Sequence, residues 1–231
     1  RTSGNEHVAV GELVRITPDL IVSSNYSVNH SIRAFERSGM RRLNDAGRLA
    51  IVSNASPVDS NHQSDDTYRM MQFIKEQEIP HFFDIGRSGL ASMVLMENGL
   101  ISPGMAIAGA EKIFSEFGAV GVLTLRHSPN EIALSWATGE LWTKVPDTIL
   151  LNVRGKLGQF ATGIDAALQL IKTESLPPCG DCVIEIVSDD LNGWPLYERY
   201  NFLRTMANFG YDQVLFPADQ QVLEYLADRS D

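Results

Sequence analysis

Short apolar runs rich in β-branched residues alternate along the chain with stretches whose apolar residues recur at helical spacing. Leu20–Ser23 and Leu49–Ser53 read as strands, and Val28–Ser38, with Ile32 and Phe35 on one face, reads as a helix between them. A second helix is predicted over Ser64–Glu78, where Tyr68, Met71 and Ile74 share a face and Ser64-Asp65-Asp66 offers a start with acids at the positive end of the dipole. Pro80 ends it, and His81–Ile85 and Met105–Ala108 follow as strands, with a helix over Ile132–Thr138. Beyond Val145-Pro146 the alternation resumes. Strands at Thr148–Val153, Val183–Val187 and Val214–Phe216 are separated by helices at Phe160–Thr173 and Leu196–Phe209, and Asp219–Ala227 is a closing helix. The segment Ser175–Cys182 reads as loop. Such alternation predicts an α/β protein of parallel sheets covered by helices on both faces, joined by right-handed crossovers. The Lys144–Pro146 region is the best boundary, dividing residues 1–144 from 145–231.

The glycines concentrate in Phe83–Gly121, FDIGRSGLASMVLMENGLISPGMAIAGAEKIFSEFGAVG, where Ser102–Gly104 forms a Ser-Pro-Gly turn. This run resembles the scaffold of a binding site, yet few of its side chains are ionisable. No dinucleotide fingerprint, phosphate loop or nucleophile elbow is present. The five histidines lack metal-ligand spacing to one another. Cys179 and Cys182 form a lone CxxC that precedes a strand. A redox pair normally opens a helix and a structural zinc needs four ligands, so the loop is expected to hold two reduced thiols or a small local disulfide.

Composition narrows the function classes. The 231 residues are 44% hydrophobic, enough for a full core, and carry a net charge of −10. That balance argues against a sequence-independent grip on nucleic acid, which needs clustered Lys and Arg. No apolar run approaches the length of a membrane span, and RTSGNEHVAVGEL carries no apolar signal region. The chain begins without Met, which fits processing or trimming, and the expected location is cytoplasmic.

From Gly11 to Asp231 the chain resembles the first two domains of the aconitase and isopropylmalate dehydratase large-subunit family. GELVRITPDLIV is similar to the family's opening segment, and FDIGRSG with MENGLISPGMAIAGA to its glycine-rich run. FGAVG and SWATGELWTKVPDTILLNVRGKL are similar to its first domain junction, and Phe202–Phe216 to the end of its second domain. The resemblance implies an aconitase-like three-layer α/β/α fold with mainly parallel sheets and two related subdomains. It also implies hydratase–isomerase chemistry on small di- and tricarboxylates, with an iron–sulfur cluster as Lewis acid and Asp/His pairs as proton shuttles.

Carried over residue by residue, that chemistry is absent. The family's His-Asp pair after the first strand falls on Ser24-Asn25, with Ser27 where it has Thr, and its Asp-His pair after the second falls on Asn54-Ala55. The His of its glycine-rich run falls on Ser92, its Asp-Ser-His-Thr on Glu111-Lys112-Ile113-Phe114, and its GVGS loop on Arg126-His127-Ser128-Pro129. The cluster cysteines belong to a third domain, and Cys179 and Cys182 lie too early to replace them. Cluster-dependent hydratase activity of this chain alone is therefore not expected. No metal and no cofactor are expected either. Trimming does not change internal residues, so the replaced pairs are expected to belong to the protein itself.

If the family geometry holds, the loops beyond the strand ends gather a polar set. Glu111, Lys112 and His127 are the candidate acid–base groups, and Asn25, Tyr26, Asn54, Ser92 and Arg126 the candidate substrate-binding residues. Plainer alternatives exist for each: Glu111 as cap of a helix near Phe114, Lys112 solvated, Arg126-His127 in a polar surface loop, and the Asn residues as turn formers. The expected function is a cluster-independent lyase, isomerase or cyclase on a small anionic metabolite, in specialised metabolism. The alternative is a non-catalytic partner. The expected partners are a small-molecule ligand and a second copy or second subunit that covers the face of the missing third domain. Neither nucleic acid nor a membrane is expected.

Overall fold

The computed structural model describes residues 7–25, 27–53, 61–84, 86–87, 89–173, 176–177, 182–227 and 229, with the side chains of 61–64 and 113 left aside. In chain order the elements are strands β1 (Leu13–Ile16) and β2 (Leu20–Ser24), helix α1 (Val28–Arg37), β3 (Leu49–Val52), α2 (Asn61–Gln77), β4 (His81–Phe83), α3 (Ala91–Glu97) and β5 (Ala106–Gly109). A 3-10 segment, Lys112–Val120, leads to β6 (Leu123–Arg126), α4 (Pro129–Thr138), β7 (Leu141–Lys144), β8 (Asp147–Val153), α5 (Gly163–Lys172), β9 (Cys182–Ser188), α6 (Leu196–Asn208), β10 (Val214–Leu215) and α7 (Gln220–Ala227).

Five strands form one wholly parallel sheet in the order β4-β3-β2-β5-β6. Strand order reverses between β2 and β5, which puts the topological switch point, the place where open α/β sheets bind ligands, beyond their carboxyl ends. The second sheet, β10-β9-β8, is also parallel, and β1 pairs antiparallel with β7 as a two-stranded ribbon. The α/β reading with mainly parallel sheets is therefore correct, and the ribbon adds an antiparallel element.

Side-chain alternation along each strand feeds two cores. Ile21, Ile51, Ala108 and Leu125 face α1, α2 and α4, where Phe35, Phe73 and Trp136 pack as an aromatic trio. Leu20, Val22, Ala50, Val52 and Ile107 face the opposite way, onto Leu95, Phe114 and Phe117. That second core continues through Phe202 and Met206 of α6 to Ile184 and Ile186 of β9. The junction is tight: Phe216 N–H donates to the Gly118 carbonyl at 2.9 Å, and a Cβ on Gly118 would come within 1.9 Å of the Val214 carbonyl oxygen. Only glycine admits that approach.

Boundaries shift where caps decide them. The third helix of the pattern begins at Pro129 rather than Ile132, because Ser128 and Glu131 form a capping box with proline at the first position. α5 begins at Gly163 rather than Phe160, behind the Thr162–Asp165 capping box. α2 begins at Asn61, ahead of the Ser64-Asp65-Asp66 start. β1, β6, β7 and α3 had no counterpart in the pattern, being four to seven residues long. The ends of two predicted segments, Ile85 and much of Ser175–Cys182, lie outside the described residues.

Candidate functional site

Glu111 follows β5, and Ser24 ends β2, so the two flank the sheet's reversal point. The Glu111 carboxylate joins the two sides. Ser24 N–H donates to Oε1 at 3.2 Å, Ser24 Oγ–H to Oε2 at 2.7 Å, and Ser27 Oγ–H to Oε1 at 2.5 Å. Ser27 stands at the N-cap of α1 and Glu111 at the N-cap of the 3-10 segment, yet neither caps its own helix with its side chain. This corrects the alternative that Glu111 acts as a helix cap. The two would-be caps bond to each other across the crevice, and the first turn of α1 keeps its N–H groups toward the same end of the sheet.

Lys112 is exposed at the head of the 3-10 segment and has no hydrogen-bond or ion-pair partner among the described residues. Asn25 is half-buried just past β2, while Tyr26 and Asn54 lie outside the described residues. Ser92 is fully buried in the first turn of α3, where its hydroxyl donates to Glu116 Oε2. Glu116, an acid the sequence reading passed over, is only 2% exposed. Its Oε1 lacks a hydrogen bond, and Arg204 Nε stands 3.8 Å away. Burial pushes the Glu116 carboxyl above the usual range, against the opposing pull of the Ser92 hydroxyl and the Arg204 charge. An acid placed between aromatic residues in IFSEFG was the available signal.

Arg126 and His127 stand at the end of β6, next to β5: His127 N–H donates to the Gly109 carbonyl at 3.0 Å. The Arg126 guanidinium pairs with Asp212 at 2.8 Å, and His127 Nδ1 lies 3.7 Å from Glu131. Both line a cavity of about 300 Å³ together with Leu125, Gln213 and the ribbon residues Leu13, Trp142, Thr143 and Lys144. The structure thus makes two polar groupings at neighbouring strand ends. Ser24, Ser27 and Glu111 form one, with Lys112 following Glu111 in the chain, and Arg126 and His127 belong to the other.

The profile of the aconitase family (aconitate hydratase) matches residues 4–231, nearly the whole chain. The chain belongs to this family. Among curated relatives it is similar to the 3-isopropylmalate dehydratase large subunit of Moorella thermoacetica, with 27% identity over 228 residues, covering 98% of this chain and 54% of that protein. It is 28% identical over 221 residues to large subunit 2 of that enzyme from Rubrobacter xylanophilus, covering 96% of this chain and 52% of the relative. The corresponding large subunit of Thermodesulfovibrio yellowstonii is 25% identical over 225 residues, covering 97% and 53%. The chain therefore spans about half the length of the curated relatives it matches.

The iron–sulfur cluster that the family implies needs three thiolate ligands on one site. The chain has two cysteines, and Cys182 is disulfide-bonded at the start of β9. Among the described residues, no group of three or more His, Cys, Asp and Glu is placed to hold a metal ion. These residues do not fit the cluster. Among the described residues, no helix is long and apolar enough to cross a membrane.

Proposed function

We propose that this family member acts on a small anionic metabolite as a cluster-independent lyase, isomerase or cyclase. The observation that supports this most is the Glu111–Ser24–Ser27 network at the reversal point of the parallel sheet, beside the exposed amine of Lys112. Crevices at such points bind ligands in open α/β sheets. The uncapped first turn of α1 favours an anion there. In this reading the Glu111 carboxylate is held in one orientation by its serine donors and acts as base. Lys112 donates a proton or neutralises developing charge, and His127 serves as a second proton carrier at the next strand end. Arg126, Asn25, Tyr26 and Asn54 complete the proposed binding residues, whereas Ser92, fully buried against Glu116, is left to the core. The test is turnover of a panel of small mono-, di- and tricarboxylates by the purified protein, with Lys112→Ala and His127→Ala compared at equal fold by circular dichroism. Loss of turnover in both folded variants is expected. Unchanged turnover in both removes the assigned roles.

A second reading, a non-catalytic subunit that completes a complex, is favoured by one feature. Leu150 and Val187 are exposed on the outer face of the second sheet, Ile164 and Leu168 on α5, and Phe160, 90% exposed, just before it. Size-exclusion chromatography with light scattering separates the two readings. A monomer that does not bind a hydrophobic dye counts against an obligatory partner.

A further inference from the structure

We infer that the cavity between the β1–β7 ribbon and the end of β6 is a binding site for a small anion that carries a flat apolar body. The inference shares Arg126 and His127 with the proposed function and rests on that reading for their exposure to a metabolite. It adds a place, a ligand class and the ribbon residues Leu13, Trp142 and Lys144.

The ribbon register places Leu13 opposite Lys144, and Trp142, two residues before Lys144, falls on the same face. Val14 and Ile16 point the other way, into the core. Leu13 and Trp142 are both exposed, so two large apolar side chains stand beside a lysine ammonium on an outward face. Across the cavity stand Arg126, His127 and Gln213. Asp212 Oδ2 stands 2.8 Å from Nη2 of Arg126, a single contact, and the other N–H groups of the guanidinium have no partner among the described residues. The Lys144 ammonium likewise has no partner among them.

The charges nearby are not all positive. Asp212 offsets Arg126, Glu131 stands 3.7 Å from His127, and Glu140 pairs with Arg15 on the ribbon. Arg126 and Lys144 are two full cations in the cavity lining, against the carboxylates of Asp212 and Glu131 at its edge, on a chain whose net charge is −10. A low-dielectric surface beside cations with free N–H groups strengthens their pull on an anion. Leu13 and Trp142, on the same ribbon face as Lys144, and Pro146 add apolar surface to the lining. The volume of about 300 Å³ suits one small molecule. An anionic head between Arg126 and Lys144, with a flat body against Trp142, uses the cations and the apolar surface together.

Phenyl phosphate is the probe, with inorganic phosphate and phenol as its two halves. The other tryptophans, Trp136 and Trp194, are buried, so fluorescence quenching reports on Trp142. Phenyl phosphate is expected to quench, and calorimetry to give a Kd at least about tenfold lower than for either half alone. Arg126→Met and Lys144→Met are each expected to weaken binding about tenfold or more. Trp142→Phe should abolish the quench while heat is still released. Absence of heat with the wild type, equal affinity for inorganic phosphate, or wild-type affinity in a folded Lys144→Met variant overturns the inference. Lys144 is exposed, so that variant is expected to fold. Turnover is read separately. Turnover without phenyl phosphate binding leaves the proposed reaction standing and removes this site. Binding without turnover does the reverse.

Discussion

Two carboxylates five residues apart, Glu111 at the head of one 3-10 segment and Glu116 within it, meet opposite fates. Glu111 sits at the strand ends, accepts three hydrogen bonds from serines, and is held in one pose. Glu116 faces inward, accepts one bond from Ser92, and keeps an oxygen with none. The first carboxylate is anchored and reachable, the second is desolvated and unsatisfied. A carboxylate at the mouth of a parallel sheet is therefore a candidate for chemistry, whereas one in the core is a source of pH-dependent stability.

The comparison breaks most sharply at Glu111. Ser24 and Ser27 are buried, so Glu111→Ala removes the acceptor that both hydroxyls and the Ser24 N–H use. The expected loss is about 2–4 kcal/mol in chemical denaturation, with Glu111→Gln losing less because it keeps an acceptor oxygen. Equal stability of Glu111→Ala and wild type would mean that the carboxylate does not hold the crevice together.

Glu116→Gln is expected to move stability the other way, and only at higher pH. The folded protein holds the Glu116 proton more tightly than the unfolded chain does, because burial raises the carboxyl above its ordinary 4.5. That contribution is complete below the ordinary value and is lost as pH rises through the raised one. Relative to wild type, Glu116→Gln should therefore gain stability as pH climbs from acid to neutral, reaching on the order of 1 kcal/mol. Urea melts across that range check it, and a pH-independent difference refutes the assignment.

Ser92→Ala removes the sole hydrogen bond to Glu116 among the described residues and should cost about 1 kcal/mol, with the pH dependence steepened. Smallest of all, Lys112→Ala should stay within about 0.5 kcal/mol of wild type, since the side chain is exposed. A larger loss would place Lys112 in the structural network with Glu111.

Much of this arrangement was legible in the pattern of residues. The strands around Ile21, Ile51 and Ile107 and the helices around Phe35 and Phe202 stand where apolar periodicity put them. The short elements were not legible, because four residues of alternation in LVRI or LWTK carry too little signal until the two segments pair. Site residues divided in the same way. Glu111 was picked out by its position after a strand, but its serine partners lie 84 and 87 residues away. Lys144 and Gln213 were missed because nothing local distinguishes a cavity-lining lysine from a solvated one.

The sequence by itself determined the strand–helix alternation and the family. These are properties of local pattern and residue identity, and they survive without knowing which segments meet. Only the tertiary structure decided that Ser27 donates to Glu111 instead of capping α1, that Ser92 turns inward to Glu116, and that the ribbon faces Arg126. The physical reason is that a hydrogen bond or a cavity depends on distances of a few ångström between residues far apart in the chain. Those distances exist only once the parallel sheet has brought the strand ends side by side.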